Sequence, residues 1–591
     1  MKEFFKMMFA SALGVFVASA LLTAVSIVLT GMMLVSLGSG MKSTYTPNPG
    51  ECIFRISLSG TLYDTVEENP FAVLLGSDEA LSLRDILTAI QRAEEQPFIK
   101  GIYLDVGMFS AGTSSLDAIR RALVGFRQSG KFVVAYADSY SQGGYYLASV
   151  ADRVYMNPQG ILGLTGLASQ TLFYKGLMEK AGIRMNVFKV GTYKGAVEPF
   201  TGDKLSEANR EQITSYLNGI WNHVVQGIAE SRKIAEEEIH AFADGGYFFA
   251  NPSKAVEYGL VDELKYRSEA EEALKEMAGQ EGDSRMKTVG VSRMKNAKKA
   301  GRKYHNKIAV VYAEGEIIQS APSSVFLREK YITEKLGDEL KKLKSDENVK
   351  AVVLRVNSPG GSAYTSDQIW KQVAELEKKK PVVVSMGNVA ASGGYYISCA
   401  ATKIVAEANT LTGSIGVFGM FPDASGLFDK LALTADVVKT NSFADLGDMS
   451  RPMTNDEKAL VQGYVERCYD TFLTRCAEGR NMTKEDIDAI GQGRVWTGKQ
   501  AMERGLVDEL GGLDRAVELA AELAGIYNYT LIDVSTVENF FKEFMEGRLD
   551  GLKVSVAREL TGEDYEYFRT LQQIRTTYGI QARIPFDMKP L

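Results

Sequence analysis

The chain runs to 591 residues, 45% of them hydrophobic and 24% charged, with a formal net charge of −7. That length allows about three to four domains, and the acidic balance speaks against a nucleic-acid partner, which would require a strongly basic face. Only three histidines and four cysteines occur. None stands in a metal-ligand or disulfide spacing, so neither a metal nor another cofactor is expected, and a Ser-His-Asp arrangement is poorly supplied. His223, His240 and His305 are expected on the surface. Cys468 and Cys476 fall on one predicted helix, roughly 12 Å apart at the helical rise and too far to bridge.

In chain order, the first element is an uncharged run between Lys6 and Lys42, rich in Leu, Val, Ala, Met and Phe. It exceeds the roughly 20 apolar residues needed to span a bilayer and is longer than the apolar region of a cleavable signal. Residues 1–42 therefore read as a cytoplasmic N-terminus and an uncleaved transmembrane anchor, with the lipid bilayer as a partner. Lys2 and Lys6 hold the N-terminus inside, which places the body outside the membrane. The expected location is the inner (cytoplasmic) membrane, single-pass, with a periplasmic body if the cell is Gram-negative.

Two segments then repeat each other at an offset of 250 residues. Phe98–Val106 lies opposite Asn348–Val356, and Lys131–Tyr136 opposite Pro381–Met386. All four read as short buried strands followed by turns and helices, the βαβ pattern of a parallel sheet. Ser141-Gln142-Gly143-Gly144-Tyr145-Tyr146 is matched by Ala391-Ser392-Gly393-Gly394-Tyr395-Tyr396. Gly163 and Gly166 lie opposite Gly413 and Gly416. Tyr258–Leu264 returns as Arg504–Leu510 at an offset of 246, so four residues are lost in the interval. The repeats read as domains over 50–278 and 308–535. Residues 279–307, basic from Arg285 to Lys303, read as a solvated linker. Residues 536–591 have no counterpart in the first copy and are unassigned.

The copies differ where chemistry would sit. Ser392 stands where the first copy has Gln142, and Lys194, 52 residues beyond Gln142, stands opposite Ala444. A serine at a strand-to-helix turn lies near free backbone N–H groups and the positive helix end. The turn Asn357–Ser362 offers further N–H groups for an oxyanion hole with Gly393. A serine nucleophile needs a base, and with no histidine nearby a lysine neutralised by burial can serve. If the copies pack face to face, one Ser–Lys dyad is assembled from two half-sites. Tyr145, Tyr146, Tyr395 and Tyr396 read as core.

Ala391–Tyr395, Ser358–Ser362, Thr412–Gly416 and Tyr193–Phe200 resemble the motifs of the long, duplicated signal peptide peptidases of the protease IV type. The likeness extends from about residue 50 to 525 and includes the anchor and the duplication. It implies an α/β fold of two tandem Clp protease/crotonase-like domains, each a β-superhelix with outer helices, after the transmembrane helix. It also implies a catalytic Ser392 and Lys194, a Ser414 that orients the lysine, and an oxyanion hole from Gly360 and Gly393. Substrates would be signal-peptide remnants and other unfolded apolar peptides, and the assembly a homo-oligomer, a tetramer by resemblance. Gly195 departs from the pattern, since many relatives have a serine there. Two rivals remain: an acyl-CoA enzyme on the crotonase-type fold, which should be cytosolic, and a non-catalytic membrane scaffold.

Overall fold

The computed structural model describes residues 52–66, 81–280, 285–297, 304–320, 330–534 and 579–583, together with residues 14, 19, 21–23 and 26. Most of the predicted anchor and most of the C-terminal extension lie outside the described residues. Among those described, no helix is long and apolar enough to cross a membrane.

Each copy is built around runs that are buried from end to end. Ile102–Val106 and Val352–Val356 show no exposed side chain, as befits central parallel strands covered on both faces. The first sheet runs Thr288–Gly290, Ile53–Tyr63, Gly101–Ser110, Phe132–Ala137, Arg153–Met156, Glu263–Leu264, all parallel. In the second copy the matching strands Lys307–Glu314, Val349–Ser358, Val382–Ala391, Lys403–Ala406 and Glu509–Leu510 pair in the same order. Each copy also carries a helix of 26 residues, Glu207–Arg232 and Asn455–Arg480. Both helices start on a hydroxyl cap, Ser206 or Thr454, and end on a left-handed residue, Lys233 or Asn481.

The repeated tyrosines are core residues with repeated partners. Tyr145 Oη donates to the Leu260 carbonyl at 2.7 Å and Tyr395 Oη to that of Leu506 at 3.0 Å. Tyr146 and Tyr396 donate to Asp117 and Asp367. A buried phenol needs such an acceptor. Cys468 and Cys476 do share the helix Asn455–Arg480, and all four cysteines are free.

Two expectations are corrected. The stretch 279–307 is not a plain solvated linker: Thr288–Gly290 adds a parallel strand beside Ile53–Arg55, and Val289 and Met294 are buried in the first core. Its charges hid the apolar residues, which seal the open edge of the sheet while Lys295 reaches Asp85 at 2.7 Å. Nor are all the histidines surface residues. His223 is half-buried 3.2 Å from Asp117, and His240 accepts a hydrogen bond from the Trp221 indole at 3.3 Å. Only His305 is exposed.

A third sheet joins the copies. Its six strands run Tyr331–Ile332, Glu316–Ile317, Gly360–Ser362, Gly579–Arg583, Val417–Asp423, Arg184–Val190. The last belongs to the first copy and pairs antiparallel with the second, from Val190 opposite Val417 to Arg184 opposite Asp423. Its alternation is two-sided. Met185 and Val187 pack with Phe418 and Met420, while Phe188 and Val190 join the second copy's main core. Such a strand has no stable position except between two apolar layers. Polar contacts tie the copies elsewhere: Arg355 Nε and Nη2 donate to Asp64 at 3.0 and 3.2 Å, both side chains being buried. Arg121 makes a two-point bridge to Glu407 at 2.6 and 2.7 Å.

Candidate active site

Ser392 ends the strand Val382–Ala391 and precedes the short helix Gly393–Ser398. Its backbone lies at φ 54° and ψ −113°, a conformation that costs a non-glycine residue about 1–3 kcal/mol and persists only when its surroundings impose it. They do: Ser392 N donates to the Gly413 carbonyl at 2.8 Å, and Tyr396 N donates to the Ser392 carbonyl at 2.8 Å. The first copy has no such strain. There Ser141, at φ −70° and ψ 163°, caps Gly144 N, and Gln142 opens a relaxed helix. The Gln142 amide oxygen accepts from Thr165 N and Gly166 N at 3.3 and 2.9 Å, so it plugs the position that the second copy leaves for a hydroxyl.

Lys194 follows the crossing strand Arg184–Val190, and that pairing carries it into the second copy. The turn is anchored on both sides. Tyr193 N donates to the Gln492 carbonyl at 2.9 Å, and Gln212 Nε2 donates to the Tyr193 carbonyl at 2.9 Å. The Lys194 backbone packs so closely on Gly493 that a methyl group there would stand 2.7 Å from Lys194 N. At Gly416 a methyl would come within 3.2 Å of the lysine Cδ. Glu198 accepts from Ser206 and Asn209, fixing the following turn to the helix Glu207–Arg232.

The lysine is fully buried, and its Nζ lies 2.7 Å from Ser392 Oγ, 3.0 Å from Ser414 Oγ and 3.1 Å from the Ser414 carbonyl oxygen. Burial alone pushes the ammonium well below the usual lysine range, because a dry site disfavours the charged form. The three neighbours suit a neutral amine. It has two N–H donors for the two Ser414 oxygens and one lone pair to accept the Ser392 hydroxyl proton. Ser414 is itself held at φ 51°, its N–H donating to the Arg494 carbonyl at 2.6 Å.

Gly360 and Gly393 form a notch beside the serine. A methyl group on Gly360 would stand 2.8 Å from Gly393 N, and Gly360 sits at φ 101°, where glycine is favoured. Gly360 N donates to Ser358 Oγ at 3.2 Å, a long bond. Gly195 proves to be sterically set, since a side chain there would strike the Asn209 amide at 2.4 Å. Ala444 lies in an exposed turn, away from buried elements.

All five residues singled out in the sequence thus gather at one buried point between the copies. Sequence reasoning missed the clamp of Gln212, Gln492, Gly493 and Arg494. Its one trace is the shift of repeat offset from 250 to 246, which falls in the interval from Gly416 to Arg504.

The Peptidase family S49 model matches this chain twice, over residues 125–281 and 374–527, and the Clp protease model matches residues 309–412. Two tandem peptidase regions of mixed α/β structure, with a Clp protease-like fold, define a serine peptidase. The chain belongs to peptidase family S49, in the protease IV type of signal peptide peptidase. It is 36% identical over 533 residues to Protease 4 of Haemophilus influenzae, covering 87% of this chain and 85% of that one. Protease 4 of Salmonella typhi is 36% identical over 547 residues, with 88% and 86% covered. The chloroplastic serine protease SPPA of Arabidopsis thaliana is 32% identical over 522 residues, with 86% and 74% covered.

Proposed function

We propose that the chain is a membrane-anchored endopeptidase in which Ser392 is the nucleophile and Lys194 its general base. The observation that carries this reading is the 2.7 Å approach of Lys194 Nζ to Ser392 Oγ in a site without solvent exposure. Ser392 Oγ attacks the scissile carbonyl while the neutral amine takes its proton. Lys194 then protonates the leaving amine and activates the water that hydrolyses the acyl-enzyme. Ser414 holds Nζ in line, and the Gly360–Gly393 notch receives the oxyanion. Substrates are signal-peptide remnants and other unfolded apolar peptides. The uncharged run before Lys42 anchors the enzyme in the cytoplasmic membrane with its body outside, and the assembly is a homo-oligomer, a tetramer by family likeness.

Hydrolysis of a casein-derived peptide tests the dyad. Ser392→Ala and Lys194→Ala are each expected to lower kcat by about ten-thousandfold or more, with Ala444→Ser unchanged. Turnover retained in either of the first two variants would defeat the assignment of the dyad. Reconstitution into inner-membrane vesicles, with protease protection of the body from one side only, tests the anchor and its orientation.

A further inference from the structure

One side chain of the first copy ties together the backbones that carry Lys194, Ser392 and Ser414. Gln212 lies on the helix Glu207–Arg232 and is fully buried. Its Nε2 donates to the Tyr193 carbonyl at 2.9 Å and to Asn209 Oδ1 at 2.7 Å, while its Oε1 accepts from Val495 N at 3.1 Å. Tyr193 immediately precedes the lysine, and Val495 belongs to the second copy. There the strand Val495–Thr497 pairs antiparallel with Leu411–Gly413, with Val495 opposite Gly413. The Gly413 carbonyl holds Ser392 N at 2.8 Å, and the Arg494 carbonyl, one residue before Val495, holds Ser414 N at 2.6 Å. A single amide therefore spans from the lysine turn to the strand that fixes both serines.

The chemistry of the position calls for an amide. A main-chain carbonyl only accepts and a main-chain N–H only donates, so the side chain between them must offer a donor and an acceptor at once. A carboxylate offers acceptors alone. Both donor hydrogens of Gln212 are used, and Asn209 is held in turn by donating to Glu198 Oε2 at 3.1 Å. The second copy has no such device. Gln212 is the sixth residue of its helix, and the sixth residue of the matching helix Asn455–Arg480 is Leu460, an exposed side chain. The amide thus occurs in the copy with Lys194 and is missing from the copy with Ala444.

Building on the dyad reading above, we propose that Gln212 is a positioning residue for catalysis, setting Lys194 Nζ against Ser392 Oγ without touching either. The apolar contacts of the joining sheet are non-directional and tolerate a small slip. The three bonds of Gln212 do not, because hydrogen bonds weaken steeply when misaligned. They fix the final register between the copies, on which the 2.7 Å approach of lysine to serine depends. A misplacement of about 1 Å between reacting groups costs about a hundredfold in rate.

The test is hydrolysis of the casein-derived peptide by full-length Gln212→Met and Gln212→Glu, with kcat referred to folded protein by circular dichroism. Gln212→Met keeps the shape and loses all three bonds. It should lose about ten- to a hundredfold in kcat, with KM within about twofold of wild type. Gln212→Glu should stand nearer to wild type at acid pH and fall towards Gln212→Met as pH rises. A neutral carboxyl still donates to the Tyr193 carbonyl, and an ionised one does not. An amide that served only stability would move neither kcat per folded molecule nor that profile. A Gln212→Met kcat within about twofold of wild type overturns the proposal and leaves the dyad standing. A loss confined to KM, parallel pH profiles in the two variants, or failure of both to fold does the same. Turnover that survives in Lys194→Ala removes the dyad, and with it the base for Gln212 to position.

Discussion

Lys194 is an expensive residue to bury, and its cost is measurable. In the unfolded chain the amine is protonated through neutral pH, whereas in the fold its proton affinity is well below the usual lysine range. The unfolded state therefore binds more protons, and stability rises with pH between the depressed value and about 10.4. Below the depressed value the penalty is complete. Lys194→Met should accordingly raise Tm while abolishing activity, by a margin that narrows as pH approaches 10. A margin that does not change with pH up to that point would mean the buried amine stays charged. Wild-type kcat/KM should rise with pH on the acid side as the amine loses its proton, and Ser414→Ala should shift that limb and lower kcat more than it alters KM. Gln142 tests the opposite role. Removing its amide leaves the N–H groups of Thr165 and Gly166 without their acceptor. Gln142→Ala should therefore lose about 1–3 kcal/mol of stability and little activity, measured by urea unfolding and peptide turnover.

At the scale of elements, the interface between copies rests on polar pairs that have left water. Arg355→Met would leave Asp64 as a buried charge without its partner, a loss of about 3–5 kcal/mol. Adding Asp64→Leu should recover most of it, since the uncompensated charge goes with it. A double-mutant cycle by urea denaturation reads the coupling. Arg355 also shows what could be read from the chain. The run Ala351–Val356 announced a buried strand, and the mismatch of Arg355 with Asp105 at the same register was visible, but not that Arg355 would find Asp64 in the other copy. The meeting of Lys194 with Ser392 was legible because Gln142, Ser392, Lys194 and Ala444 differ in one register. The strand Thr288–Gly290 was not, because three residues inside a basic run carry no period. Nor was Gly579–Arg583, whose pairing partners lie more than 150 residues away and leave no local signal. Ser392 could be placed at a turn from its glycines, yet its positive φ follows from the bond of its N–H to Gly413, which only the assembled sheet supplies.

At the scale of the molecule, the two groups of the proposed dyad come from different copies. The second copy expressed alone, from residue 308 onward, should fail to hydrolyse the casein-derived peptide even when soluble and folded by circular dichroism. Activity in that fragment would mean that some base other than Lys194 serves Ser392. The crossing strand Arg184–Val190 has a further consequence, which concerns the order of events during synthesis. Lys194 precedes Ser392 by 198 residues, and its strand has no partner until Val417–Asp423 exists. At about 5–20 residues per second, translation takes about 10–40 s to cover that distance. On the proposed dyad, the ribosome holds throughout that interval a chain with its base and without its nucleophile, so a growing polypeptide would be unable to digest itself or its neighbours. On that reading the separation of the two groups along the chain acts as a timer, and competence waits until the second copy's Val417–Asp423 has been made.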